Sequence, residues 1–342
     1  MLAVAAAAGA LAILSAPVAA RDFTIASWGG NYQDAQREVY FKPFAESQGG
    51  ITILEDTYLG GLAEIKSMVD AGNVTWDVVM VERNDLIVGC DEGLFEKIDW
   101  PSVGGEESMI PEAAHPCGAG SIVVSTGIAY NADKVAEAPK NWADFWNVEK
   151  WPGKRGLRAG PKMNLEFALL SDGVSRDELY DVLSTPEGVD RAFAKLDELK
   201  PYIQFWEGGA QPIEWLVAGD VVLTASYNGR ITAAQKEGKN LRFVWTDSLY
   251  GMDSWAVISG SPHTELGMAF IKFANQPEVQ AKFPELIPYG TTNKAAAALI
   301  APEVLKDIPA GDNLAEAFFG DEEFWADHVD ELTVRWNNWV AK

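Results

Sequence analysis

Aromatic and acidic side chains are neighbours at several points of this sequence that are predicted to be loops. Trp206 is followed by Glu207, and Tyr250, Asp253 and Trp255 lie close together. The face of an aromatic ring attracts cations, and a carboxylate accepts charge-assisted hydrogen bonds from an amine. A cleft lined by both kinds of side chain would bind an alkylammonium ligand. The alternative for any one of these tryptophans is packing in a hydrophobic core.

Three more candidate residues follow predicted strands. Trp28 comes directly after an apolar strand and precedes two glycines, and Tyr32 lies in the helix-like run after them. Glu82 ends a second apolar strand, where a buried carboxylate needs a partner, either a ligand or a base such as Arg83. Because open α/β sheets bind ligands at the carboxyl ends of their strands, we expect these three side chains to line a binding cleft.

Short β-branched runs alternate with amphipathic stretches along the chain. The predicted strands are residues 23–27, 51–55, 78–81, 122–126, 221–225 and 241–244. The predicted helices include residues 61–71, 185–199, 210–218 and 264–274. Strands that alternate with helices form parallel βαβ units, so the pattern predicts an α/β fold with mostly parallel sheets flanked by helices.

The chain is long enough for two domains, and two segments are predicted to cross between them. Residues 122–126 would lead out of the first domain, and residues 255–258 would lead back. This predicts a lobe 1 made of residues 21–125 and 255–300 and a lobe 2 made of residues 126–254 and 301–342. The two crossings would act as a hinge, with the ligand in the cleft between the lobes.

The first 20 residues are typical of a secretory signal peptide. They are apolar and rich in alanine, with Pro17 near the end and small residues at Ala19 and Ala20. This layout predicts cleavage after Ala20 and export of the mature protein. The alternative is an uncleaved membrane anchor.

The sequence has two cysteines, Cys90 and Cys117. An even number in an exported chain indicates a disulfide, which here closes a loop of about 27 residues. The three histidines are scattered and there is no Cys-x-x-Cys motif, so we expect no metal site. We also find no phosphate-binding loop and no nucleophile motif, and therefore expect no cofactor and no enzymatic activity.

The chain is strongly acidic, with 50 acidic and 27 basic residues and a net charge of −23. Such a chain repels nucleic acids and anionic membrane surfaces and attracts cations. We therefore expect no nucleic-acid partner. The charge is also consistent with a cationic ligand.

Several motifs, in order along nearly the whole mature chain, resemble the periplasmic polyamine-binding components of ABC importers. The motifs are Trp28-Gly29-Gly30 with Tyr32, Trp76-Asp77-Val78-Val79, Ile128-Ala129-Tyr130-Asn131, residues 141–146, Pro152-Gly153-Lys154-Arg155-Gly156, Tyr227-Asn228-Gly229, Met252-Asp253-Ser254 and residues 287–293. The resemblance implies a type II periplasmic-binding-protein fold that closes on its ligand. It also implies a monomer in the periplasm that delivers a small cationic solute to the transmembrane subunits of an ABC permease.

The resemblance also implies roles for particular residues. In polyamine-binding relatives an aromatic ring after the first strand stacks on the ligand, and Trp28 has that place. Asp253 matches an acid that pairs with an amine, and Tyr227 and Tyr289 match aromatic ligand contacts. Glu166 is the best match for a further carboxylate contact. Trp206, Glu207, Tyr32, Glu82 and Trp255 complete the expected ligand site.

Two departures from the family pattern affect the choice of ligand. The family often has tryptophan two positions before the acid, where this chain has Gly251, and Glu82 replaces a small hydroxyl residue. The expected ligand is a polyamine such as putrescine or spermidine. The alternatives are agmatine, an amino-acid-derived cation or a sugar, then an iron or thiamine compound, and finally an enzyme that uses cleft acids on carbohydrates.

Overall fold

A computed structural model describes residues 21–58 and 60–342, and the predicted signal peptide lies outside these residues. The strands are β1 Phe23–Ser27, β2 Ile53–Thr57, β3 Val78–Glu82, β4 Ala114–His115, β5 Gly118–Asn131, β6 Arg155–Arg158, β7 Ile203–Trp206, β8 Leu223–Tyr227, β9 Leu241–Val257, β10 Gly290–Thr291 and β11 Phe318–Phe319. No helix among the described residues is both long enough and apolar enough to span a membrane.

The helices alternate with the strands over much of the chain, as predicted for an α/β fold. They are α1 Gly30–Gln36, α2 Lys42–Ser47, α3 Ala63–Asp70, α4 Arg83–Asp91, α5 Trp100–Val103, α6 Trp142–Trp146, α7 Asn164–Ser171, α8 Leu179–Leu183, α9 Pro186–Leu199, α10 Gln211–Ala218, α11 Asn228–Lys236, α12 Thr264–Ala274, α13 Pro277–Gln280, α14 Phe283–Leu286, α15 Pro302–Leu305, α16 Asp312–Ala315 and α17 Glu322–Val340. A π-helical turn, Arg37–Phe41, joins α1 to α2.

Local sequence signals explain where the longer helices begin. Thr185 caps α9 by accepting a hydrogen bond from the backbone N–H of Gly188, and Pro186 occupies the first turn, where its missing N–H costs nothing. The last helix, α17, has Asp321 as its cap, accepting from the N–H of Phe324. The predicted helix 185–199 is confirmed by α9, Pro186–Leu199, together with its cap Thr185.

The described strands form one continuous sheet in the order β2-β1-β3-β9-β5-β8-β6-β7. The β1–β2, β1–β3, β6–β7 and β6–β8 pairs are parallel, as the βαβ pattern predicts. The long strands β5 and β9 pair antiparallel to each other in the middle of the sheet. One half of the sheet contains β1 to β3 and the other half contains β6 to β8, and below we call these halves, with the helices packed on them, lobe 1 and lobe 2.

The strand β9 is much longer than the sequence pattern predicts. Residues 241–244 and 255–258 look like separate strands, but Leu241–Val257 is continuous and bulged opposite β5. Asp247, in the bulge, has a φ of 55°. The residues between the two apolar runs include glycine and aspartate because they cross between the lobes and border the cleft, so their pattern does not alternate.

Each lobe has its own hydrophobic core. In lobe 1, Phe44 and Trp255 pack on Phe270 of α12 with ring centroids 5.3 and 5.1 Å apart. In lobe 2, Trp142 of α6 stacks on Phe167 of α7 at 3.6 Å. The helix α17 contributes several buried aromatic residues to the lobe 2 core.

The predicted disulfide is present. Cys90 in α4 is bonded to Cys117, with Cα atoms 5.7 Å apart. The helix α4 begins directly after Glu82, and Cys117 directly precedes β5. The bond therefore links the helix that follows the cleft acid to the strand that leaves lobe 1.

A carboxyl group is buried inside lobe 2. Glu166 of α7 is completely buried, and its Oε1 accepts hydrogen bonds from Trp325 Nε1 at 2.6 Å and from the Tyr180 hydroxyl at 3.1 Å. Its Oε2 has no partner among the described residues. Burial raises the pKa of Glu166 to about 7, and the two hydrogen bonds only partly oppose that rise.

The buried carboxyl predicts a pH-dependent stability difference. Since the folded protein keeps Glu166 protonated up to a pKa of about 7, and the unfolded chain only to about 4.5, the free energy of unfolding falls as pH rises through this window. Glu166→Gln removes this pH-dependent contribution to the free energy of unfolding. We expect the free energy of unfolding of the variant, relative to the original protein, to rise by about 3 kcal/mol between pH 4.5 and pH 7.5, measured by urea titration.

The exposed Glu187→Gln serves as the matched control for losing a carboxyl group from a lobe 2 helix. A Glu166→Gln difference that stays constant with pH would contradict this account of the buried carboxyl.

Candidate functional site

A cavity of about 560 Å³ lies between the lobes. It opens where β1 and β3 of lobe 1 and β8 of lobe 2 end, as expected for ligand sites at the carboxyl ends of strands. Gly29 and Gly30, with φ of 68° and 57°, make the turn from β1 into α1 and keep this edge open. The predicted residues that line the cavity are Trp28, Tyr32, Glu82, Tyr227, Asp253 and Tyr289.

Two carboxylates lie side by side in the lobe 1 wall of the cavity. Glu82 at the end of β3 and Asp253 in β9 are register partners in the antiparallel pair. Trp28 Nε1 donates a hydrogen bond to Asp253 Oδ2 at 2.9 Å. Burial raises the pKa of Asp253 to about 8, Glu82 adds to the rise, and the Trp28 hydrogen bond opposes it. Below about pH 8 the Asp253 carboxyl therefore holds a proton, which a bound cation would displace.

Aromatic rings form the sides of the cavity. Trp28 packs on Tyr58 with centroids 5.0 Å apart, and Tyr32 packs on Tyr289 at 6.2 Å. Burial raises the pKa of Tyr289 to about 12 and raises the pKa of Tyr32 well above its usual value. Both hydroxyls therefore stay protonated and are able to donate hydrogen bonds. The rings offer a surface for the methylene groups of a short ligand.

Basic residues that the sequence interpretation did not single out also border the site. Arg230 in α11 lines the main cavity together with Asp253. Arg158 ends β6, and neither arginine forms an ion pair with a carboxylate of the described chain. Both follow motifs used for the family resemblance, Arg230 directly after Tyr227-Asn228-Gly229. Their positions at the carboxyl end of a strand, or just beyond one, were a signal that could have identified them.

A smaller cavity, here called the side chamber, adjoins the main cavity and shares Glu82, Tyr227 and Asp253 with it. Its further charged residues are Arg83, Arg158, Lys162 and Glu322. Lys162 Nζ forms an ion pair with Glu322 Oε2 at 2.6 Å. The side chamber is thus lined by charges of both signs.

Four predicted ligand contacts do not line either cavity. Glu166 lies in the lobe 2 core and Trp255 in the lobe 1 core, both fully buried. Trp206 is fully buried behind Tyr227, with ring centroids 5.6 Å apart, and so supports a cavity residue. Glu207 is exposed in the loop after β7. The sequence could not separate these residues from true cavity residues because Glu166, Trp206 and Trp255 are buried only by the packing of distant elements around them, which local patterns do not reveal.

Among the described residues, no group of three or more His, Cys, Asp or Glu side chains is arranged to hold a metal ion. The lining of the main cavity contains the two acids, aromatic rings and the bases Arg230 and Lys236. In chemical terms it can hold an amine against the acids and a carboxylate against an arginine, with methylene groups between them.

The chain belongs to the bacterial extracellular solute-binding proteins, because that family's model matches residues 40–310. These proteins bind solutes for ABC importers and are not enzymes. The chain is 51% identical over 329 residues to the gamma-aminobutyric acid-binding protein of Pseudomonas aeruginosa, covering 96% of this chain and 93% of that protein. The spermidine/putrescine-binding periplasmic protein of Escherichia coli is 26% identical, with 75% of each chain covered.

Solved structures give the same result for the fold. The structure described as the Atu4243-GABA receptor has a TM-score of 0.85 and 34% identity, covering 94% of this chain and 98% of that one. The two-lobed type II periplasmic-binding-protein fold expected from the sequence is thereby confirmed.

The raised pKa of Asp253 predicts that binding of an ammonium ligand releases a proton. The free site is protonated below about pH 8, whereas the site bound to a cation is ionised, so affinity should rise with pH up to about 8 and then level off. Calorimetry in two buffers of different ionisation enthalpy at pH 6.5 should show proton release, and at pH 9 almost none.

The same titration with Asp253→Asn should show no proton release from this site. Equal proton release in the variant and the original protein would assign the linkage to another group.

Proposed function

We propose that this chain captures a zwitterionic ω-amino acid, gamma-aminobutyric acid or a close analogue, in the periplasm and delivers it to the transmembrane subunits of an ABC permease. The observation that carries this proposal is that acidic and basic side chains line the same cavity. Asp253 and Glu82 form an acidic wall, and Arg230 lines the same cavity. A ligand with an ammonium at one end and a carboxylate at the other satisfies both.

A polyamine fits this charge arrangement less well. One amine of putrescine would pair with Asp253, but the other would meet arginine rather than a second acid, and like charges repel. Glu166 and Glu207, which would have supplied further acids, do not line the cavity. The relatives agree with this argument, because the protein that is 51% identical is named for gamma-aminobutyric acid and the polyamine binders are more distant.

The proposed contacts follow from the cavity walls. The ligand ammonium pairs with Asp253 and Glu82, the ligand carboxylate pairs with Arg230, and the methylene groups lie among Trp28, Tyr32, Tyr227 and Tyr289. Trp28 holds Asp253 in place by its hydrogen bond. Lobes composed of residues 21–125 with 255–300 and of residues 126–254 with 301–342 would close over the ligand about β5 and β9.

A ligand screen tests the proposed function. We expect gamma-aminobutyric acid to raise the melting temperature of the purified protein and to bind in calorimetry, because a ligand that binds only the folded state stabilises it. Putrescine, spermidine, agmatine and a neutral sugar should give much smaller shifts. Stabilisation by the polyamines but not by gamma-aminobutyric acid would reverse the choice of ligand.

Substitutions at the two ends of the site should have different effects on the two ligand classes. Asp253→Asn and Arg230→Gln should each weaken gamma-aminobutyric acid binding by about 2 to 4 kcal/mol, since each leaves one ligand charge unpaired in a desolvated cavity. Asp253→Asn should also weaken residual putrescine binding, whereas Arg230→Gln should not. Dissociation constants from calorimetry measure these effects.

Lys239→Gln, which removes an exposed positive charge just beyond α11, is the matched control for Arg230→Gln. If Arg230→Gln and Lys239→Gln weaken binding equally, Arg230 does not contact the ligand.

A further inference from the structure

The ion pair in the side chamber is held in position by the surrounding structure. Glu322 is the first residue of α17 and its side chain is 7% exposed, while that of Lys162 is 24% exposed. Lys162 precedes Met163, a non-glycine residue with φ of 74°. Such a backbone conformation costs energy and persists only where its surroundings enforce it. Next to it, Asn164 Nδ2 donates to the carbonyl oxygens of Arg158 and Gly160 at 2.6 and 2.7 Å, which fixes the turn that carries Lys162.

Glu322 enters space that a side chain in β9 would otherwise use. Gly251 lies two residues before Asp253, and for a Cβ built on Gly251 the nearest neighbouring atom is Glu322 Oε1 at 3.9 Å. The polyamine-binding pattern often has a tryptophan at this point of the sequence. In this chain the C-terminal helix instead brings a carboxylate toward the amine end of the cavity.

The charges that act on Asp253 are mostly negative. Glu82 and Glu322 raise the pKa of the Asp253 carboxyl, and Lys162 lowers it. Because Lys162 is already paired with Glu322, it has little attraction left for a ligand anion. A carboxylate brought close to Asp253 would therefore meet Glu82 and Glu322, and the bases of the side chamber left to balance these acids would be Arg83 and Arg158 without Lys162.

An α-amino acid brings such a carboxylate. Its ammonium and its α-carboxylate are attached to the same carbon, so an ammonium bound by Asp253 places the α-carboxylate at the boundary with the side chamber, which Asp253 and Glu82 share. An ω-amino acid carries only hydrogens there. We propose that Glu322 excludes α-amino acids from the site by holding Lys162 in an ion pair and by placing its own negative charge beside the amine.

This inference rests on the proposed function, and pairs of ligands that differ by one α-carboxylate test it. Glutamate is gamma-aminobutyric acid with an α-carboxylate, and ornithine is putrescine with an α-carboxylate. For the original protein we expect the member without the α-carboxylate to bind more tightly. Glu322→Gln should lower the ratio of the dissociation constants, glutamate over gamma-aminobutyric acid, about tenfold or more, since it frees Lys162 and removes a repelling charge.

Two further variants identify the charge responsible. Glu323→Gln, at the next and exposed position of α17, should leave the ratio unchanged. Adding Lys162→Met to Glu322→Gln should cancel most of the gain in glutamate binding, and it keeps the chamber free of an unpaired lysine if Glu322→Gln alone is unstable. If glutamate binding remains improved after Lys162→Met is added, another base such as Arg158 binds the α-carboxylate. That result would overturn the role of the ion pair.

The outcomes separate the two proposals. If the original protein binds putrescine and not gamma-aminobutyric acid, the proposed function fails, and the putrescine and ornithine pair still measures the exclusion. If the original protein binds gamma-aminobutyric acid but Glu322→Gln leaves the ratio for glutamate unchanged, only this inference fails. Binding of none of the four ligands would overturn both.

Discussion

The pairing of β3 with β9 places two carboxylates, Glu82 and Asp253, directly opposite each other at the centre of the cleft. Burial of Asp253 and the neighbouring Glu82 carboxylate both raise the pKa of Asp253. A ligand ammonium opposes both effects. The hydrogen bond from Trp28 and the disulfide behind α4 support this wall, which is the wall proposed to bind the ligand's ammonium group.

Lobe 2 contributes charges of the other sign. Arg158 and Lys162 follow or end β6, and Arg230 lies in α11 beyond β8, so the strand ends of this lobe bring bases to the cleft. The proposed zwitterionic ligand would need charges from both lobes. The proposed selectivity therefore depends on how the lobes meet, and β9 runs through both halves of the sheet while carrying Asp253 itself.

The regular elements followed from local patterns. The strand β1 and the helix Pro186–Leu199 have clear apolar runs with a cap or glycines at their ends, and they were predicted closely. The strand β2 is shifted by two residues, and β9 was divided into two pieces. Those errors arise where the chain borders the cleft or the surface, because the hydrophobic alternation that reveals a strand requires one buried face.

The sequence by itself determined the class of protein, the two-lobed fold, the disulfide and most of the aromatic and acidic cleft residues, because these depend on local patterns and motifs. Only the tertiary structure decided which candidates share the cavity. It buried Glu166 and Trp255 in the two cores and brought Arg230 to the main cavity and Glu322 to the side chamber. The physical reason is that Glu322 and Asp253 are far apart in the chain, and only packing of α17 on lobe 2 brings their charges into one electrostatic environment.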